Sequence, residues 1–217
     1  MRFNQQDATL PTAANAVNTL SEVQLTKIFR DYGEERLAKE FAKAVVRDRE
    51  ERGKVFETTR DLRECIERIA NMWKSSDKGK KKKKDKRASK IRSTHPATRC
   101  FQALRIYVND ELSHVENGVK QLVNHLATNG RLVTIAFHSL EDRPIKNFFR
   151  DLDKKGRIGV EDDDDDESDW ENDNDIGPLK DRRFRLPLRK ATKATDEEIS
   201  INSRSRSARL RCLERIL

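Results

Sequence analysis

Leu132-Val133-Thr134-Ile135-Ala136-Phe137-His138-Ser139-Leu140-Glu141-Asp142-Arg143 is the stretch whose reading decides the fold. Its first half is a nearly continuous apolar run rich in β-branched residues, as expected of a strand covered on both faces, which implies a parallel neighbour. Nothing earlier in the sequence looks like another such strand. Asn129-Gly130 supplies a turn before the run. Ahead of that turn, His95-Pro96 opens a long helix whose Phe101, Leu104, Val108, Leu112, Val115, Val119, Leu122 and Leu126 recur every three or four residues. A helix feeding an apolar strand with a polar tip is one slice of an open α/β sheet. In such sheets ligands sit in the crevice beyond the carboxyl ends of the strands, so the tip from His138 to Arg143 is a candidate site. No glycine-rich strand-to-helix loop precedes the slice, and the usual nucleotide-cradling element is therefore absent from the sequence.

Beyond the tip, Phe148, Phe149 and Leu152 mark a further helix, and Pro144 places its start at Glu141 or Asp142, because proline is tolerated only near a helix beginning. Two strands are predicted later, Phe184 to Arg189 and Ala208 to Glu214. In the second, Ala208, Leu210 and Cys212 alternate with Arg209 and Arg211, a pattern that reads as a sheet with the arginine side wet. The arginines between Arg204 and Arg211 suit phosphate binding through their forked donors, and suit solubility equally well. Toward the start, Ser21-Glu22-Val23-Gln24 fits a capping box for a helix bearing Leu25, Ile28, Phe29 and Tyr32, with Gly33 placed to end it. A second helix carries Leu37, Phe41, Ala44 and Val45. A third, capped by Thr58 or Thr59, carries Leu62, Cys65, Ile66, Ile69 and Trp73. Helical packing of this size is marginal alone and is expected to lean on another domain.

Two charged inserts interrupt the pattern. Lys80 to Lys84 is unbroken lysine within a basic segment, and Asp162 to Asp166 is unbroken aspartate. Like charges so dense repel, so both are expected to be disordered loop. The basic one reads as a solvated linker, with an RNA-phosphate contact or localisation tag as the sharper alternative. An acidic tract could shield a basic RNA groove. The chain has 217 residues, 35% of them hydrophobic and 39% charged, so its core is thin. A net charge of +8 points to an anionic partner. Cys65, Cys100 and Cys212 are odd in number and form no CxxC pair, which argues for reduced, buried thiols. No apolar run reaches membrane-spanning length and no targeting segment is visible near Met1. His114 and His125 have no third ligand nearby, so no metal site is expected. No Gly-x-Ser-x-Gly, paired catalytic carboxylate or Walker loop supports another enzyme class.

The string His95-Pro96-Ala97-Thr98-Arg99-Cys100-Phe101-Gln102-Ala103-Leu104-Arg105-Ile106-Tyr107-Val108-Asn109-Asp110-Glu111-Leu112, with Asn129-Gly130-Arg131-Leu132 and Phe137-His138-Ser139-Leu140-Glu141-Asp142-Arg143, resembles the MraW-type (RsmH) methyltransferases. Tyr32-Gly33-Glu34-Glu35-Arg36 is similar to that family's inserted helical domain, and Arg206-Ser207-Ala208 with Leu210-Arg211 to its closing hairpin. The resemblance implies an α/β fold: the C-terminal part of a Rossmann-like class I methyltransferase sheet, behind an all-α domain at the N-terminus. It places a helical substrate-recognition domain at residues 1–93, with a Lys-rich linker at 75–93. A partial Rossmann-like domain follows at 94–217, with an acidic disordered insert at 157–178. It also implies transfer of a methyl group from S-adenosylmethionine to the N4 amine of a cytidine in small-subunit ribosomal RNA.

Only the later two-thirds of the family's chain is resembled. The half-sheet with the glycine-rich cofactor loop would lie before Met1, so no cofactor-binding residue is expected here and the chain alone should not methylate. The implied partner is small-subunit ribosomal RNA, with no membrane and the oligomeric state left open. The two charged tracts have no counterpart in compact bacterial members, so the implied compartment is a mitochondrion or plastid for a eukaryotic protein and the cytoplasm for a bacterial one. Methyl transfer to a cytosine amine depends on aiming the N4 nitrogen and drawing its lone pair out of the ring, so positioning outweighs a strong base. The base must also leave its stack and be held by its pairing edge. His138, Ser139 and Asp142 are the candidates for those acceptor contacts. Arg143, Arg99, Arg105, Arg204 and Arg206 are the candidates for RNA binding. Against this, Ser139 and Asp142 are residue types that simply cap helices, and the helix stripe holding Arg99, Gln102, Arg105 and Asn109 could make interdomain hydrogen bonds instead. The competing reading of the whole chain is a non-catalytic RNA-binding or ribosome-assembly scaffold derived from the same family.

Overall fold

The helix-forming signals act first, at the amino-terminal end. In a computed structural model that describes residues 1, 11–77, 96–156 and 182–217, α1 spans Ala13–Thr19, α2 Glu22–Asp31, α3 Ala38–Arg52, α4 Thr59–Asp77 and α5 Pro96–Asn109. Ser21 and Gln24 close a reciprocal capping box at the start of α2. Thr58 and Asp61 do the same for α4: the Thr58 N–H donates to Asp61 at 2.8 Å, and Asp61 returns its own N–H to the threonine hydroxyl at 3.3 Å. Most of the lysine-rich segment and all of the acidic insert lie outside the described residues.

By contact the chain divides into two compact units, Met1–Glu111 and Leu112–Leu217. The division read from sequence fell after residue 93, at the lysine-rich segment. The boundary lies later because α5 packs into the helical unit, burying Ala97, Cys100, Ala103 and Leu104 with Phe29, Phe41, Val45 and Ile66. Gly33 explains how the backbone comes so close. A Cβ there would lie 2.6 Å from the Phe29 carbonyl oxygen and 2.9 Å from that of Arg99. α2 ends just before Gly33 as expected, and the left-handed residue beyond it is Glu34, whose φ is 46°. Trp73, expected on the buried stripe of α4, is largely exposed, whereas Leu62, Cys65, Ile66 and Ile69 are buried as their spacing implied. Asp48 is buried beneath Arg68 and Arg52.

The long helix expected from Pro96 to about residue 126 is two helices. Asp110 takes a left-handed conformation with φ 47°, which short polar side chains tolerate, and α6 restarts at Glu111 and runs to Asn124. Arg105 spans the break, its Nε and Nη2 donating to the Glu111 carboxylate at 2.8 and 2.9 Å.

In the second unit, β1 (Arg131–Ala136), α7 (Ser139–Gly156), β2 (Phe184–Arg185), β3 (Thr192–Lys193), α8 (Asp196–Ile201), a 3-10 turn (Ser203–Ser207) and β4 (Arg209–Arg215) make a mixed α/β arrangement. All strand pairs among the described residues are antiparallel. The order is β1-β4-β2, with β3 also on β4. The parallel neighbour inferred for β1 is not among the described residues. One face of the sheet packs Leu132 and Leu213 against Val123, Phe148, Phe149 and Leu152. Among the described residues nothing covers the other side of this stretch: Val133, Ile135 and Phe137 are 52, 57 and 52% exposed. β2 is shorter than the predicted Phe184 to Arg189, because Pro187 has no N–H to pair and the Leu186 N–H is taken by Asp153 at 3.0 Å.

The expected wet side of β4 holds at Arg209, which is exposed, and fails at Arg211, whose side chain is largely covered. Thr134 pairs with Arg211 and Ala136 with Arg209, in the same alternation that puts Leu132 opposite Leu213, so the arginines lie on the inner, α7-facing side. Cys212, on the opposite face, is buried too.

Candidate functional site

β1 ends at Ala136 and α7 begins at Ser139, so the strand tip is only Phe137 and His138. The His138 carbonyl accepts the first helical bond, from the Asp142 N–H at 3.1 Å, and His138 is thereby the N-cap of α7. Its Nδ1 accepts the Glu141 N–H at 3.2 Å. Glu141 reaches back, accepting the Phe137 N–H at 3.1 Å, and its other oxygen lies 2.8 Å from His138 Nε2. This resembles a capping box with an imidazole in place of a hydroxyl, except that Glu141 returns to the N–H of Phe137, one residue before the cap. With Nδ1 acting as acceptor, a neutral ring carries its proton on Nε2. The cap assigned by residue type to Ser139 or Asp142 thus belongs to His138, with Ser139 the first helical residue.

Asp142 is 3% exposed, and both its oxygens are engaged inside the unit. Arg211 grips it with two bonds, Nε to Oδ1 at 2.7 Å and Nη2 to Oδ2 at 2.9 Å, and Arg209 Nη1 adds a third to Oδ2 at 3.1 Å. Burial pushes the Asp142 carboxyl up, but the hydrogen bond and charge of Arg211, then those of Arg209, outweigh it and hold the group below the usual carboxylate range. This forked, charge-assisted clamp ties the first turn of α7 to the middle of the sheet.

The structure brings His138, Ser139, Asp142 and Arg143 into one turn. Arg143 is exposed on the outer side of that turn. Arg204 and Arg206 are exposed on the 3-10 turn before β4. In the helical unit, Arg99 lies 3.8 Å from the buried Glu35 carboxylate, and Arg105 is held by Glu111. Sequence reading placed Glu141 in the tip stretch and weighed Arg209 and Arg211 for phosphate binding or solubility, but gave none of the three its role in holding the tip. The readable signal for the arginines was the strand alternation, which put both on one face together with Leu213.

A family model described as the MraW methylase family matches residues 1–216. The chain belongs to the MraW methylase family. Among curated members, ribosomal RNA small subunit methyltransferase H of Methylococcus capsulatus is 42% identical over 204 residues, covering 94% of this chain and 57% of that protein. The protein of the same name from Carboxydothermus hydrogenoformans is 38% identical over 220 residues, covering 100% of this chain and 60% of that protein. The one from Maricaulis maris is 42% identical over 201 residues, covering 93% and 52%. This MraW-family chain therefore spans between half and three-fifths of the length of these relatives. No described helix is long and apolar enough to cross a membrane.

Proposed function

We propose that this chain is the later, RNA-facing portion of an S-adenosylmethionine-dependent methyltransferase acting on the N4 amine of a cytidine in small-subunit ribosomal RNA, built as part of a Rossmann-like class I sheet. The observation that carries the reading is identity of 34 to 42% over 94% of this chain with proteins named ribosomal RNA small subunit methyltransferase H. S-adenosylmethionine would supply the methyl group when bound. The chain offers no glycine-rich strand-to-helix loop to cradle it, and the carboxylate of Asp142 is committed to Arg211 and Arg209, so no residue here is assigned to it.

In this reading the tip works by position. His138 and Ser139 border the substrate pocket and hold the cytosine amine edge, while Asp142 is a positioning residue that acts through Arg211 by fixing the turn on which they sit. Arg143, Arg204 and Arg206 take phosphates, and Arg99 contributes from the helical unit. Arg105, bound in two places by Glu111, serves its own helix break. The organisms of the named relatives are bacterial, which favours a cytoplasmic setting for a bacterial owner.

The test joins this chain to the preceding portion of the Methylococcus capsulatus relative and reads N4-methylcytidine in small-subunit ribosomal RNA by mass spectrometry. Methylation that falls strongly on His138→Ala supports the enzyme reading. A joined protein that binds S-adenosylmethionine and ribosomal RNA yet leaves cytidine unmodified overturns it and favours the scaffold reading. In the same protein, Arg204→Ala and Arg206→Ala should each lower the salt slope of RNA binding by about 1.

A further inference from the structure

α7 carries a row of cations along the side that faces away from the core. At about 100° per residue, Arg143, Lys146, Arg150 and Lys154 fall within about 60° of one line along the helix, one at each turn. Ile145, Phe148, Phe149 and Leu152 hold the opposite side and are buried in the core of the second unit. Arg143 and Lys154 are exposed, and Lys146 and Arg150 are half-buried. The row is about 16 Å long, and Ser139 of the candidate site lies on the same line one turn before it. Surface helices ordinarily mix the two signs, with an acidic residue four positions from a lysine or arginine. Here the four acidic residues of α7 lie off the row, and two of them are buried: Asp142 is gripped by Arg211, and Asp153 accepts the Leu186 N–H. Within the row, Lys146 and Arg150 stand four apart, as do Arg150 and Lys154, a spacing at which like charges weaken a helix. A single-signed row kept at that cost, on a helix anchored by its apolar side, is the footprint of a polyanion site.

We propose that this row is a phosphate track, along which the backbone of the RNA substrate runs from the strand tip toward the carboxyl end of α7. The identity of the polyanion rests on the proposed function. A strand with one base held at the tip continues past it, and Lys146, Arg150 and Lys154 carry the phosphate contact of Arg143 onward over three further turns. Cations on successive turns of one rigid helix fix the register of the RNA without reading its sequence, so the track positions the target nucleotide and leaves its recognition to the tip. The acidic tract Asp162 to Asp166 follows α7 in the chain and is the other polyanion at hand.

The experiment measures binding of purified small-subunit ribosomal RNA to the full chain between about 50 and 200 mM salt, for the unsubstituted protein and for Lys146→Gln, Arg150→Gln and Lys154→Gln. Each substitution should lower the salt slope by about 1, so that the loss of affinity over that range shrinks about threefold. Lys146→Arg and Arg150→Lys should keep the full slope, and so should Lys190→Gln, which neutralises an exposed cation away from α7. Unchanged circular dichroism separates loss of charge from loss of helix. A chain that binds no RNA overturns the inference, as do glutamine variants that leave the slope unchanged, charge-keeping variants that lower it, or a Lys190→Gln that lowers it as much. In a chain lacking residues 161–169 the slope should depend on the three residues as before; dependence that appears only after this deletion overturns the inference and assigns the row to the acidic tract. If the row sets the slope while the protein joined to the Methylococcus capsulatus portion leaves cytidine unmodified, the track stands and the functional reading falls; methylation with a slope indifferent to the row does the reverse.

Discussion

Removing the carboxylate at Asp142 tests the strand-tip clamp most directly. Breaking a buried, hydrogen-bonded ion pair from one side costs about 3–5 kcal/mol, because the partner charge is left uncompensated. Here the two arms differ. Arg211 is bidentate and its side chain is 14% exposed, whereas Arg209 makes one bond and is 45% exposed. Solvent can rescue Arg209, so the cost belongs mostly to Arg211. Asp142→Ala should therefore destabilise the second unit by about 3 kcal/mol, near the lower end of that range. Arg211→Ala should cost about 2 kcal/mol, since Asp142 then keeps one partner, and Arg209→Ala about 0.5 kcal/mol. Urea unfolding followed by circular dichroism measures all three, and the double variant Asp142→Ala/Arg211→Ala measures the coupling. Amide exchange localises the effect, which should appear in the first turn of α7 and along β4 and not in the helical unit. If Arg209→Ala costs as much as Arg211→Ala, or if Asp142→Ala costs less than about 1 kcal/mol, the clamp does not hold the tip and the argument fails.

Acid should unpick the same clamp. The folded-state pKa of Asp142 lies below its unfolded value, so its contribution is complete above the ordinary carboxylate pKa of about 3.9 and is lost as pH falls through the folded value; Asp142→Asn should flatten this acid limb in urea midpoints collected across pH. Gly33→Ala puts a methyl against two carbonyl oxygens, at 2.6 and 2.9 Å, neither the end of a flexible side chain, and should cost about 1–3 kcal/mol by thermal melting. The thiols should be silent until the chain unfolds. Burial, then the Asp48 charge, pushes Cys65 up to about 11, and burial raises Cys100 well above its ordinary value, so a thiol reagent should react with neither in the native protein and with both in denaturant.

Local signals were legible where local physics decides. The capping box at Ser21, the Thr58 cap, the apolar stripes of the helical unit apart from Trp73, and the strand before His138 all rest on near neighbours in sequence and appear in the fold. The break at Asp110 was hidden because apolar spacing of three and four continues through it. What ends the helix is one backbone angle, held by Arg105 and Glu111 across the gap. The burial of Arg211 on β4 was missed for a similar reason. Alternation shows that Arg209 and Arg211 share a side, but which side is inner depends on α7, whose Asp142 lies far off in sequence and makes a charged lining stable. The tip residues were found by their position at a strand end, whereas the cap role of His138 was not, since histidine is not among the residues favoured at an N-cap.

The order in which the strands are synthesised follows from the place of β4. It is the strand on which the other three converge, and it comes after all of them in the chain. While the segment between α7 and β4 is still being made, β1 lacks the one described strand with which it pairs. The sheet is therefore assembled in one late event, through long-range closures that fold slowly.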